Sequence, residues 1–143
     1  MKIAIIGASA GIGLQTTRLA LERGYEVTSL SRRVVPFPDN AKLRRVQGSA
    51  TNLNDVRAAV EGAESILVTL GVKSPFATTL FSDSARVLLR VLQETRSSPA
   101  LIVLTGFGAG DSWDYNSIPM KVLFTLFLKR AYVDKSEQER LIA

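Results

Sequence analysis

Lys2-Ile3-Ala4-Ile5-Ile6-Gly7-Ala8-Ser9-Ala10-Gly11-Ile12-Gly13 opens the chain with a short apolar run that stops at a glycine and passes into a glycine-spaced loop. An isoleucine-rich run of this length, with no polar alternation, reads as a strand buried on both faces. The composition then turns helical over residues 11–23, with Ile12, Thr16, Leu19 and Ala20 recurring at three- and four-residue steps and Gly24 where a C-terminal cap belongs. Strand, glycine loop and helix therefore follow one another directly. In this setting each glycine of the GxxxGxG spacing has a physical task. Gly7 permits the tight turn, Gly11 lets a pyrophosphate approach the backbone, and Gly13 lets the helix pack closely on the strand. The amides and dipole at the helix start favour a phosphate there.

Working outward, the alternation continues. Glu26–Ser31 is a second strand, and residues 34–40, with two prolines, form a loop. Leu43–Gln47 is a third strand. Asn52 caps a helix whose Leu53, Val56 and Val60 share one face, and residues 65–70 form a fourth buried strand closed by Gly71. A longer helix over residues 78–95 turns Leu80, Ser84, Val87, Leu88, Val91 and Leu92 inward. Residues 101–105 form a fifth strand, followed by a glycine-rich loop at 106–111. Residues 118–143 are helical in pattern, with a break near Ala131 and an apolar first half over 122–128. Strands joined through helices in this way predict an α/β fold of Rossmann type: a doubly wound parallel sheet in the order 3-2-1-4-5. The usual final strand is lacking, so the fifth strand is an edge. With 143 residues the chain is read as a single domain, 1–143, binding NAD(P).

Composition excludes several kinds of chemistry. There is no cysteine and no histidine, so thiolate catalysis, disulfides, a Ser-His-Asp triad and the common zinc sites are absent, and no metal site is expected. Chemistry must come from carboxylates, hydroxyls, lysine or a bound cofactor. The formal charge is +5, but the basic residues are spread along the chain, with pairs such as Arg32-Arg33 and Arg44-Arg45, and a nucleic-acid partner is not expected. The start has no signal pattern, and no apolar run approaches the ~20 residues of a membrane span. The expected setting is cytoplasmic, with no membrane partner.

The end of the second strand decides between dinucleotides. A carboxylate there accepts hydrogen bonds from the adenosine ribose of NAD, whereas arginine pairs with a 2′-phosphate. Ser31-Arg32-Arg33 stands at that end, and Glu26 lies at the other, so the cofactor is read as NADP(H).

These features together resemble the atypical short-chain dehydrogenase/reductase superfamily, in particular its NmrA-like and biliverdin reductase B (flavin reductase) branch. The resemblance runs through IAIIGASAGIG, EVTSLSRR, VQGSATN, SILVTLG, LIVLTGFGAG and YVDKSEQERLIA. It implies a phosphate loop at Gly7, Ser9, Ala10, Gly11, Ile12 and Gly13, a 2′-phosphate site at Arg32 with Arg33, and a nicotinamide-ribose wall at Leu70 and Gly71. Near the adenine the family usually places an aspartate, and this sequence has Ser49 followed by Ala50. The YxxxK signature of typical short-chain dehydrogenases is missing. Tyr132 and Lys135 are three apart, and Tyr115 has no lysine four positions later. Thr105 falls where the resemblance implies a serine or threonine near nicotinamide or substrate, its alternative being a buried strand residue. Thr105, Tyr132 and Lys135 are thus the catalytic candidates, and residues 111–115, with Trp113 and Tyr115, are a candidate lid.

Two functions compete on this reading. One is hydride transfer from NADPH to a small acceptor such as a flavin or quinone. The other is a non-catalytic, NmrA-like regulatory protein whose NADP(H) occupancy alters a partner surface. A sugar-nucleotide epimerase or dehydratase shares the loop but usually needs the tyrosine-lysine pair and a larger substrate domain. Partners are a small-molecule substrate or another protein, and a homodimer is compatible with an open edge strand.

Overall fold

The computed structural model describes residues 1–72, 78–105, 117–118 and 129–143. These residues form five parallel strands and four helices: β1 Lys2–Ile6, α1 Gly11–Glu22, β2 Glu26–Ser31, β3 Leu43–Gln47, α2 Leu53–Val60, β4 Ser65–Val68, α3 Leu80–Thr95, β5 Ala100–Val103 and α4 Lys129–Ile142. The sheet order is β3-β2-β1-β4-β5, as the alternating pattern predicts. No helix among the described residues is long and apolar enough to cross a membrane.

The chain divides into two compact units. The first comprises Met1–Gly71 and Val87–Leu104, and holds the sheet. Its central strand is buried on both faces, which is why the run has no polar alternation. Ala4 and Ile6 join Leu30, Val56, Ile66, Val68, Leu88 and Val91 in one core, while Ile5 joins Ala8, Ala20, Val27, Val35 and Leu43 in the other. Each fully buried isoleucine, leucine or valine here contributes roughly 1.5–3 kcal/mol of burial. Helix α2 starts where expected, with Asn52 Oδ1 accepting the amides of Asn54 and Asp55 at 3.0 and 3.1 Å. Arg57 of α2 and Arg90 of α3 both engage Glu94 of α3, tying α2 to α3 at the surface.

The second unit comprises Val72–Arg86 and Thr105–Ala143. In it, the first turn of α3 is capped from α4: the buried Asp134 carboxylate accepts the amides of Phe81 at 2.8 Å and Ser82 at 3.2 Å. Glu137 accepts from Arg86 at 3.0 Å and from Arg140 at 2.8 Å, continuing the same seam.

Several boundaries differ from the sequence reading. The inward face of α1 is Gly13, Thr17 and Ala20, whereas Ile12 and Leu19 are more than half exposed. The glycine contact with the sheet sets the helix rotation, and it outweighs the preference of two aliphatic side chains for burial. On α3 the first buried residue is Phe81 rather than Leu80, because the cap from Asp134 turns that face inward. Strands β4 and β5 end at Val68 and Val103, short of Leu70 and Thr105. Helix α4 begins at Lys129 and continues through Ala131, and residues 119–128, over which the expected break near Ala131 would also be read, lie outside the described residues. Residues 106–116 and 122–128, including Trp113 and Tyr115, lie outside the described residues.

Candidate functional site

The parallel register brings the carboxyl ends of four strands to one edge of the sheet. Ile6 stands opposite Leu30 and Val68, and Ser31 opposite Gln47. The segments leaving those ends are then fastened to one another. Gly7 N–H donates to Leu30 O at 2.8 Å, Thr69 N–H to Ile6 O at 2.8 Å, and Gly48 N–H to Ser31 O at 3.1 Å. Gly7–Gly13, Arg32-Arg33, Gly48–Ala50 and Thr69–Gly71 therefore share the ligand-binding edge of an open parallel sheet.

Within the loop the three glycines meet different surroundings. Gly7 has φ +97° and a side chain there would press on Thr69 O at 2.8 Å, so both conformation and space demand glycine. At Gly13 a Cβ would collide with Gly7 O and Thr69 Oγ1, the close helix-to-strand approach that the spacing predicts. Gly11, with φ +53°, faces open space: nothing lies within 4 Å of the position its Cβ would take. Thr69 completes the arrangement, its hydroxyl donating to Ile6 O at 3.1 Å with Gly7 O at 3.3 Å, and Thr17 Oγ1 donates to Gly13 O at 2.8 Å. Neither threonine was singled out from sequence; a hydroxyl closing an apolar strand, and one facing inward from a helix, are the signals that mark them.

Helix α1 begins without a capping side chain and without an acidic residue in its first turn. By contrast α2 has both Asn52 and Asp55. A helix start leaves four amide donors without intrahelical partners, and on α1 no side chain of the helix's own takes the place of an anion. Gly11 and Ile12 are exposed there, Ala10 is exposed, and Ser9 is half-buried. This is the fit that a dinucleotide pyrophosphate requires.

Arg32 and Arg33 are exposed, and neither guanidinium has an ion-pair partner among the described residues. Glu26, at the far end of β2, faces Lys2 at 3.8 Å. Ser49 is half-buried and its amide donates to Asp55 Oδ2 at 2.8 Å, while Ala50 is buried beneath it. Leu70 packs against the core and Gly71 is exposed with nothing near its Cβ position.

The three catalytic candidates lie in the second unit. Thr105 follows β5 and is half-buried. Tyr132 and Lys135 share α4, and the Lys135 ammonium sits 4.5 Å from the centre of the Phe81 ring. Burial pushes the Lys135 ammonium below its ordinary value of 10.5, with Glu139 opposing the shift.

An open cleft of about 170 Å³ lies elsewhere, at the amino ends of β1, β2 and β3, among Lys2, Glu26, Lys42, Arg44 and Glu61. Ligands of this fold bind at the carboxyl ends, so the cleft is on the wrong side of the sheet. Its charges also answer one another, Arg44 meeting Glu61 at 3.8 Å as Lys2 meets Glu26.

A family model described as NAD(P)H-binding matches residues 7–143. The chain belongs to this NAD(P)H-binding family. The matched range takes in the glycine loop, α1 and all the strands after β1. The same fold occurs in ChuY, an anaerobillin reductase from Escherichia coli O157:H7, at 22% identity and a TM-score of 0.72, over 99% of this chain and 66% of that one. It also occurs in a short-chain dehydrogenase/reductase from Veillonella parvula crystallised with NADP, at 16% identity and a TM-score of 0.79, over 99% of this chain and 63% of that one. A 3-beta-hydroxysteroid dehydrogenase of Mycolicibacterium neoaurum is 37% identical over 71 residues, which are 50% of this chain and 19% of that protein. The chain spans less than two thirds of the length of each of these relatives. The expected NAD(P)-binding family is borne out by the family match, and the expected fold is the one these structures share.

Proposed function

We propose that this protein is an NADP(H)-dependent reductase unit that presents the nicotinamide to a small acceptor such as a flavin or quinone. The observation that carries the reading is the open space at Gly11, at an uncapped helix start, on the same sheet edge as two exposed arginines without acidic partners among the described residues. The pyrophosphate belongs over Gly11 with the first amides of α1, and the 2′-phosphate with Arg32 and Arg33, where charge-assisted and bidentate hydrogen bonds favour a phosphomonoester over a ribose hydroxyl. Leu70 and Gly71 belong to the nicotinamide side, and Ser49 and Ala50 to the adenine side. When bound, the nicotinamide supplies the hydride. Delivery to a flavin or quinone depends on close alignment more than on a dedicated protein acid, so a chain without histidine and without YxxxK is adequate.

The second reading, a regulatory protein that binds NADP(H) without turnover, is favoured by one observation: Lys135 is engaged with the Phe81 ring three residues from Tyr132, not four. The test is a screen of NADPH oxidation against free flavins and quinones, run beside calorimetric binding. Turnover that Arg32→Ala slows by raising KM for NADPH supports the reductase. Tight NADPH binding with no turnover on any acceptor supports the regulatory reading.

A further inference from the structure

The two arginines after β2 do not leave the sheet on a free loop. Three successive carbonyls at the turn are each taken by a donor. Ser31 O accepts from Gly48 N–H at 3.1 Å, Arg32 O from Gln47 Nε2 at 3.4 Å, and Arg33 O from Ser31 Oγ at 2.6 Å. Farther along the same loop, Arg45 Nη2 donates to Phe37 O at 2.7 Å and to Pro38 O at 3.0 Å. Val35 is 2% exposed and anchors the intervening chain in the core. The backbone that carries Arg32 and Arg33 is therefore held by Gly48, by Gln47 of β3 and by Ser31 of β2, while their side chains remain exposed.

The Gly48 bond to Ser31 O extends the β2–β3 ladder by one rung, and the other two contacts carry the hold past the strand end. Ser31 is 8% exposed and spends its hydroxyl on the carbonyl two residues ahead. Gln47, its register partner on β3, is exposed yet turns its amide back toward Arg32 O. Holding a backbone in one conformation matters when a rigid, two-pronged contact must be made, because ordering a flexible loop on binding subtracts from affinity. A phosphomonoester contacted by guanidinium groups is such a contact.

We infer that Ser31 and Gln47 are positioning residues that preset the Arg32-Arg33 backbone for a 2′-phosphate, and so determine how strongly NADPH is preferred over NADH. The inference rests on the NADP(H) reading of the site.

It is tested on the intact chain by calorimetric titration with NADPH and NADH, comparing Ser31→Ala, Gln47→Ala and Ser31→Thr with Arg32→Ala. Losing one such hydrogen bond lowers the NADPH-to-NADH affinity ratio roughly three- to tenfold in the first two variants. Ser31→Thr, which keeps the hydroxyl, restores the ratio. Melting temperature reports any general loss of structure, and Gln47→Ala, at an exposed position, keeps the test sound if Ser31→Ala fails to fold. A ratio unchanged in both alanine variants, or NADPH and NADH weakening in parallel, overturns the inference while Arg32→Ala still abolishes the preference. Wild-type protein with no preference, or one that Arg32→Ala leaves intact, overturns the NADP(H) reading itself and this inference with it.

Discussion

Gly11 and Gly13 stand two residues apart and answer different demands. Gly13 is fixed by contact: a methyl group there meets Gly7 O and Thr69 Oγ1, both held by the sheet. Gly13→Ala is predicted to cost at least about 2 kcal/mol of stability, the range for overpacking a site that cannot give, measured by urea unfolding. Gly11 has open space, so Gly11→Ala costs only the left-handed backbone penalty, about 1–2 kcal/mol. Its methyl projects where the pyrophosphate belongs, and NADPH affinity is predicted to fall more than tenfold, read by titration. Equal effects of the two substitutions on stability and binding would contradict this division. Lys135 makes a third prediction at this scale. Its proton affinity is lowered on folding by burial, so between that lowered value and 10.5 the unfolded chain holds a proton the folded chain has released. Stability linked to Lys135 therefore rises as pH climbs through this window. Lys135→Met retains the apolar stem without the charge, and the stability difference between wild type and variant should shift toward the wild type as pH approaches 10.5. A difference independent of pH would show that the ammonium is not desolvated.

Helix α3 takes part of its start from outside itself. Asp134 supplies the acceptor for Phe81 and Ser82, and it is 6% exposed, so removing it strands two amides away from water. Asp134→Ala is predicted to destabilise by roughly 2–3 kcal/mol, whereas Asp134→Asn, which keeps one acceptor oxygen, loses about half of that. Chemical denaturation of the two variants checks the order; equal losses would mean that the cap is not what Asp134 contributes. Such a long-range cap has no local signature, and this marks the limit of what the sequence makes legible. The strands could be read because uninterrupted apolar runs bounded by glycine have little other meaning, and the order 3-2-1-4-5 follows from the alternation. The α2 cap could be read because Asn52 acts on its own helix. The face of α1 could not, because periodicity favours Ile12 and Leu19 while the structure obeys the contact of Gly13 with Gly7. The position of the glycine loop and of the arginine pair at the carboxyl ends of β1 and β2 was legible from spacing and the strand pattern. Thr69, Gln47 and Arg45 were not, since their partners are backbone carbonyls of other segments, and a carbonyl leaves no trace in the sequence.

At the scale of the whole molecule, the glycine loop and the arginine pair belong to one unit, assembled by a single parallel sheet. The tyrosine and lysine candidates belong to the other. On the proposed reading the nucleotide is held by strand ends and backbone of the first unit, and the catalytic candidates Tyr132 and Lys135 lie in the second. That reading also predicts how salt acts. On it NADPH is favoured by exposed guanidinium groups, and screening at exposed sites is strong, so raising ionic strength should weaken NADPH binding more than NADH binding. A salt dependence identical for the two nucleotides would place the 2′-phosphate away from Arg32 and Arg33. The central claim, that the Gly7–Gly13 loop with Arg32 forms an NADP(H) site, is tested most directly by calorimetric titration of the purified chain with NADPH. The account predicts saturable binding of one nucleotide per chain, tighter than NADH and weakened by Arg32→Ala. Absence of binding by either nucleotide from a folded protein would contradict it.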